Sequence, residues 1–250
     1  GDVTDSKGLE TAMRGCDAVI HAAAMLELWG DDQTFYNINV IGTENMLCAA
    51  QSAGIKRFIH ISAASVIGGG VPAYQVDETY RPPYPPDDAY SKTKLIAEQR
   101  VIAANDSTMT TLILRPPLIW GKRQPMIETI RSAVAQGQWL WVAHGRHTLS
   151  TINIKNLCVA IIAALDYGRG GEVYFVTDDD MRSFRTFLTA WMRVEEIELS
   201  NASIPRWVAL TAGRIMARMW RIFNLGGEPP ITPAMVHMIG TEMSLVDRKA

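Results

Sequence analysis

The sequence predicts an α/β fold, a doubly wound parallel sheet followed by a smaller and mostly helical lobe. Short runs that are apolar throughout alternate with helical patterns over residues 1–177. Such runs are typical of parallel strands that helices cover on both faces. After residue 178 the alternation stops, and the pattern becomes helical and rich in large apolar residues. We therefore expect two domains, residues 1–177 and residues 178–250.

The individual elements follow from local signals. Buried strands are predicted at residues 17–23, 57–62, 111–115, 150–154 and 172–177. Helices are predicted at residues 35–54, 88–104, 125–137, 156–168, 182–194 and 204–223. Gly54 tolerates the left-handed conformation that closes the first helix, and Asp87 or Asp88 is the expected N-cap of the second. Pro116 and Pro117 stop the strand that precedes them.

Bulk composition excludes several classes of protein. The 250 residues are 48% hydrophobic and 20% charged, with a formal charge of −2, so nothing indicates a nucleic-acid partner. The three cysteines (Cys16, Cys48 and Cys158) are widely separated, which predicts no metal site and a reducing compartment. The N-terminus lacks a signal-peptide pattern and no apolar run approaches the ~20 residues of a spanning helix, so we expect a cytoplasmic protein.

Tyr90 and Lys94 are four residues apart in the predicted helix 88–104 and therefore share one face. A phenol titrates near ~10, and lowering its pKa to ~7 requires roughly 4 kcal/mol. An ammonium ~4 Å away supplies about that much at an effective dielectric constant of ~20. The pair is thus a sufficient acid–base unit, although the spacing alone also suits a half-buried tyrosine beside a solvated lysine.

Four motifs occur in order along residues 1–177: CDAVIHAAA (16–24), NVIGTENMLCAA (39–50), YSKTK (90–94) and LRPPLIWG (114–121). Together they resemble the extended short-chain dehydrogenase/reductase family. The resemblance implies a Rossmann-like sheet with NAD or NADP as cofactor. It implies that Tyr90 exchanges a proton with the substrate, while Lys94 lowers its pKa and holds the nicotinamide ribose. The implied cofactor contacts are Asp2, Ala22, Ala23, Tyr90, Lys94 and Pro117.

The serine that this family uses to orient the substrate oxygen is replaced here. Its register falls on Ala63, with Ser62 one residue earlier and Ser65 two residues later. Because side chains alternate along an extended chain, Ser65 lies on the Ala63 face and Ser62 on the opposite face. We expect Ser65 to be the catalytic hydroxyl, with Ser62 as the alternative.

The glycine-rich G-x-x-G-x-x-G turn of the family is not found in the sequence. The opening GDVTD resembles the stretch after the family's third strand, so we expect a fragment lacking the first three strands and a short C-terminal stretch. Such a fragment would leave one sheet edge unpaired. The residue that distinguishes NAD from NADP would then lie outside this sequence.

The substrate branch is predicted from the second half of the chain. Nucleotide-sugar enzymes of the family carry an Arg-Asp pair where this sequence has Leu149 and Ser150. The 3β-hydroxysteroid and sterol dehydrogenase branch tends to have asparagine at Asn156 and an apolar C-terminal lobe, here with Trp191, Trp207 and Trp220. We expect an oxidoreductase that interconverts a secondary alcohol and a ketone on an apolar small molecule. The alternatives are a nucleotide-sugar epimerase or dehydratase, and a non-catalytic dinucleotide-binding sensor.

Two expectations concern partners. Arg214, Arg218 and Arg221 share one face of the helix 204–223. This pattern suits either a membrane-surface helix or an ordinary solvated face, and we favour the solvated face. The family resemblance also implies a possible homodimer through the helices that hold residues 39–53 and 88–104.

Overall fold

A computed structural model describes residues 1–68 and 70–250. In chain order the strands are β1 (Ala18–His21), β2 (Arg57–Ile61), β3 (Ala73–Val76), β4 (Thr110–Arg115), β5 (Leu118–Trp120), β6 (Trp141–Val142), β7 (Thr151–Asn153), β8 (Val173–Phe175), β9 (Ser203–Ile204) and β10 (Met243–Leu245). The α-helices are α1 (Ser6–Met13), α2 (Asp32–Phe35), α3 (Gly42–Ser52), α4 (Ala89–Ala103), α5 (Met126–Ala135), α6 (Ile154–Tyr167), α7 (Phe184–Val194), α8 (Arg206–Ile222) and α9 (Pro233–Gly240).

A parallel sheet with the spatial order β1-β2-β4-β8 forms the centre of the fold. Adjacent residues of β2 point to opposite faces, and both faces are covered. Phe58 packs with Leu47 and Val101 from α3 and α4. Ile59 packs in a second cluster with Leu157 of α6. The predicted α/β class with a covered parallel sheet is therefore confirmed.

Element boundaries differ from the predictions in two places that matter for the site. The predicted helix 35–54 begins earlier, at α2, and passes through a π-helical segment (Tyr36–Ile41) before α3. The chain after β2 does not stay extended, because residues Ala64–Ile67 form a 3-10 turn. Both irregular segments lie near the carboxyl ends of the strands.

A separate apolar cluster lies outside the main sheet. Trp141, Phe184, Leu188 and Trp191 pack there with Ile127 of α5. Two short parallel pairs, β6 with β9 and β10 with β3, connect the C-terminal part to earlier segments. The division of the chain at residue 177 stays a prediction, but this cluster combines residues from both sides of it.

A membrane-crossing helix is not found in residues 1–68 or 70–250, since none of their helices combines sufficient length with sufficient apolar character.

The buried ion pair between Glu98 and Arg115 gives a test of the fold. Its two hydrogen bonds measure 2.8 and 2.6 Å, and Glu98 is almost fully buried. We expect Glu98→Gln to lower the free energy of unfolding by about 3–5 kcal/mol, because it leaves a buried guanidinium uncompensated. Chemical denaturation measures this. Glu128→Gln is the matched control, since its pair with Arg131 is exposed and should contribute little; equal effects of both variants would contradict the prediction.

Candidate active site

The first turn of α4 places Tyr90 beside a cavity. Asp88 caps the helix by accepting a hydrogen bond from the Ser91 amide at 2.8 Å, after a proline-rich approach that cannot itself be helical. Tyr90 is half-buried and lines a cavity of about 360 Å³. The other walls come from the segment 27–35, from α8 and from the start of α9.

Lys94 lies one turn further along α4 and is 1% exposed. Its Nζ donates to the carbonyl oxygen of Ile61 at 2.7 Å and lies 3.1 Å from Nε2 of His60. Burial lowers the pKa of Lys94 to about 8, a shift that the Glu98 charge partly opposes. The ammonium is thus held by the carboxyl end of β2, an arrangement that the sequence analysis did not predict.

The ionisation of Tyr90 differs from the prediction. Burial raises the pKa of its phenol, and the Asp88 charge raises it further. The expectation of a lowered pKa is therefore wrong, and Lys94 is not among the groups that shift it. The reason is desolvation, which disfavours a buried phenolate. Tyr90 is neutral at pH 7, and its catalytic role stays a prediction.

Two histidines form a buried layer beneath Lys94. His21 of β1 and His60 of β2 are register partners, with ring centroids 5.1 Å apart. Because an ammonium only donates, Nε2 of His60 accepts and its proton resides on Nδ1. His21 Nε2 lies 3.0 Å from the hydroxyl of Thr43, which donates to the Asn39 carbonyl. Burial, followed by the Lys94 charge, lowers the pKa of His21 to about 4, so both rings stay neutral.

Asn39 is a buried residue of the site region to which the sequence analysis assigned no role. Its amide nitrogen donates to Thr93 Oγ1 at 3.0 Å and to the Met25 carbonyl at 3.2 Å, and its amide oxygen accepts from the Met25 amide. It therefore joins the loop after β1 to α4. The NVIGT motif was the available signal, since Asn39 opens it.

The two candidate serines have different environments. Ser65 lies in the 3-10 turn, where side chains do not alternate as they do along a strand. The hydroxyl of Ser91 donates to Ser65 at 2.9 Å, which leaves the Ser65 proton available. Ser62 Oγ is buried and has no hydrogen-bond partner among the described residues. The choice between them stays a prediction.

The predicted cofactor contacts lie at several strand ends. Ala22 and Ala23 are exposed directly after β1, and Pro117 is half-buried between β4 and β5. Asp2 is exposed, and hydrogen bonds from Thr4 lower the pKa of its carboxyl. Tyr90 and Lys94 share the helix α4. Among the described residues, no side-chain hydrogen bond or salt bridge joins the other predicted cofactor contacts to one another.

The aromatic wall of the cavity differs from the expected one. Trp191 is core, Trp207 is 71% exposed and Trp220 is half-buried, and none of the three lines the cavity. Trp29 lines it instead, together with Leu28 and Phe35. The cavity also contains charged side chains, among them Arg214, Arg221 and Asp87.

This fold and site define a class of protein, an α/β enzyme of the short-chain dehydrogenase/reductase type. Residues 1–206 match the 3-beta hydroxysteroid dehydrogenase/isomerase family, and the chain belongs to that family. The predicted family branch and the predicted class, an oxidoreductase of this branch, are thereby confirmed.

Three known proteins illustrate the similarity. A 4-hydroxy-2-methyl-3-oxo-4-farnesyl-3,4-dihydroquinoline-1-oxide ketoreductase of Stigmatella aurantiaca is 35% identical over 100% of this chain and 75% of its own length. A decarboxylating sterol-4-alpha-carboxylate 3-dehydrogenase of Dictyostelium discoideum is 31% identical over 98% of this chain and 78% of its own. The crystal structure of DesIV, a dTDP-glucose 4,6-dehydratase of Streptomyces venezuelae with NAD and TYD bound, superimposes with a TM-score of 0.68. It is 23% identical and covers 82% of this chain and 66% of that one, so it shows the fold alone.

The burial of Lys94 predicts a specific pH dependence of stability. In the folded state the pKa of Lys94 is about 8, whereas that of an ordinary solvated lysine side chain is 10.5. Between these values the unfolded chain holds more protons, so stability rises with pH. We expect wild type to gain about 3 kcal/mol relative to Lys94→Met between pH 8 and pH 10.5. Urea denaturation across this pH range measures the free energy of unfolding of both proteins. A difference between them that does not change with pH would contradict the prediction.

Proposed function

We propose that this protein interconverts a secondary alcohol and a ketone on a largely apolar small molecule, with Tyr90 exchanging the proton and NAD or NADP carrying the hydride. The observation that carries the proposal is the position of Tyr90. Tyr90, at the N-terminus of its helix, lines the cavity, while Lys94 one turn later is buried and hydrogen-bonded. Family membership and the named ketoreductase and sterol dehydrogenase relatives support the same reaction.

In the reducing direction the neutral phenol of Tyr90 donates its proton to the carbonyl oxygen as that oxygen gains negative charge. Its raised pKa keeps it in the required protonated form at neutral pH. Ser65 is the proposed second donor, because it accepts from Ser91 and retains its own proton. In the oxidising direction the alcohol proton returns to Tyr90, which must first be deprotonated.

The residues present fit a nicotinamide dinucleotide. Ser62 Oγ is a buried hydroxyl without a protein partner in the described residues. Lys94 has three N–H groups and two recorded acceptors, so one remains for a ribose hydroxyl. Exposed Ala22 and Ala23 leave the carboxyl end of β1 uncrowded. When bound, the cofactor supplies or accepts the hydride, and these side chains and Pro117 would hold it; Asp2 is the proposed adenine contact.

Part of the cavity wall and the names of two relatives support an apolar substrate. Leu28, Trp29 and Phe35 supply apolar wall, which suits an extended hydrocarbon. One relative is named for a farnesyl compound and the other for a sterol. We further propose a cytoplasmic location and a homodimer, and these two stay predictions.

Two other functions use the same fold. A nucleotide-sugar epimerase or dehydratase would bind a sugar nucleotide in the cavity, and the DesIV similarity supports this only at the level of fold. A non-catalytic sensor would bind the dinucleotide without turning over any substrate. Calorimetry with NADH, NADPH and UDP-glucose, followed by ketone-reduction assays, distinguishes the three.

The role of Tyr90 is tested by Tyr90→Phe, which removes only the hydroxyl. We expect kcat for ketone reduction to fall by about 10²–10⁴-fold while dinucleotide binding is retained. Tyr84→Phe is the matched control, since Tyr84 is exposed in the preceding loop and should have wild-type activity. Turnover by Tyr90→Phe at the wild-type rate would disprove the assigned mechanism.

The role of Ser65 is tested against Ser62. If Ser65 orients the substrate oxygen, Ser65→Ala should lower kcat about 10²-fold, because a preorganised donor is lost. Ser62→Ala should leave kcat near wild type and weaken dinucleotide binding instead. A reversed pattern of the two variants, measured by steady-state kinetics and calorimetry, would assign the substrate hydroxyl to Ser62.

A further inference from the structure

The helix α8 exposes a stripe of large apolar side chains. Ile215, Met219 and Ile222 lie on one helix face by their spacing, and they are 56%, 44% and 64% exposed. The stripe continues beyond the helix with Phe223 and Leu225, at 66% and 43%. No described segment covers it. Exposed apolar side chains that share one helix face are typical of an interaction surface.

A stripe of arginines runs beside it. Arg214, Arg218 and Arg221 each directly precede one residue of the apolar stripe. The arginines therefore lie about 100° around the helix from that stripe. All three are exposed, and no salt bridge among the described residues includes them. Residues 206–227 contain no aspartate or glutamate. On α8 itself the surface is therefore cationic and apolar at once, and the nearby carboxylates of Asp87 and Asp88 line the cavity that Arg214 and Arg221 also line.

We propose that this face of α8 docks on a lipid bilayer that contains anionic lipids. The stripe of Ile215, Met219, Ile222, Phe223 and Leu225 would enter the interface between headgroups and acyl chains. The neighbouring arginines would contact lipid phosphates. Buried apolar area and attraction between arginines and anionic headgroups are the two forces that hold such helices in the membrane plane.

A bilayer fits this surface better than a second copy of the chain. A second copy would bring the same arginines, and α8 offers no carboxylate to neutralise them. An anionic bilayer supplies both negative charge and an apolar phase. The helix lies on such a membrane rather than crossing it, because none of the described helices meets the requirements for a span.

The face of α8 that packs against the protein consists of small residues, and this explains why the apolar stripe is exposed to solvent. Ala209 and Gly213 are the buried residues of the helix. A Cβ added at Gly213 would lie 3.1 Å from the backbone carbon of Thr232, so small residues permit the close approach to α9. The larger residues of the stripe therefore face outward, and the sequence-based preference for an ordinary solvated face stays a prediction. Arg214 and Arg221 also line the Tyr90 cavity, so docking here would bring that cavity close to lipid.

The test is cosedimentation of the full chain with lipid vesicles. Wild type should bind vesicles of equimolar phosphatidylcholine and phosphatidylglycerol, bind pure phosphatidylcholine weakly, and dissociate at high salt. Ile215→Ser with Ile222→Ser should weaken binding at least about ten-fold, because two apolar side chains are lost from the interface. Arg218→Gln should weaken binding to the anionic vesicles only.

Val159→Ser with Ile162→Ser is the matched control. These α6 residues are 66% and 61% exposed, so the change removes a comparable apolar patch without flanking arginines. It should leave vesicle binding unchanged, and thermal unfolding should confirm that every variant is folded. Wild-type binding by the α8 double variant, or an equal loss in the α6 control, would overturn the proposal. So would light scattering that shows the stripe to be buried in a dimer without lipid binding.

Discussion

Two buried charges on one face of α4 determine the geometry of the site. Lys94 donates to the Ile61 carbonyl at the end of β2, and Glu98 one turn later pairs with Arg115 at the end of β4. A buried charge that loses its partner costs several kcal/mol, so the helix cannot rotate or slide relative to these two strands. Tyr90 lies one turn before Lys94 on the same helix, so this anchoring also fixes its position.

The polar layer around Lys94 extends the same constraint to the cavity. Asn39 hydrogen-bonds both Thr93 on α4 and the backbone of Met25. The segment 27–35, which forms one cavity wall, begins just after Met25. The wall and the helix that carries Tyr90 are thus joined through one amide side chain. A satisfied polar network of this kind specifies one arrangement, because each partial alternative leaves a buried group unpaired.

Local signals in the sequence were sufficient for the sheet and for α4. Apolar runs identified β2 and β4, and Asp88 capped α4 as predicted. Partners distant in sequence were not predictable, as His60 and Lys94 are 34 residues apart. The environment of Ser65 was missed because a 3-10 turn interrupts the alternation on which the inference depended. The raised pKa of Tyr90 was not predicted because it depends on burial of the phenol. The spacing between Tyr90 and Lys94 contains no information about burial.

The opposite shifts of Tyr90 and Lys94 have one physical cause. Burial disfavours the phenolate and the ammonium alike, so it raises the pKa of the tyrosine and lowers that of the lysine. The phenol of Tyr90 is therefore protonated at neutral pH, which is the form that the proposed proton donation requires. Donation to a ketone oxygen requires no prior ionisation, whereas accepting an alcohol proton requires the phenolate first. For the proposed reaction, the raised pKa of Tyr90 therefore suits proton donation in the reducing direction at neutral pH.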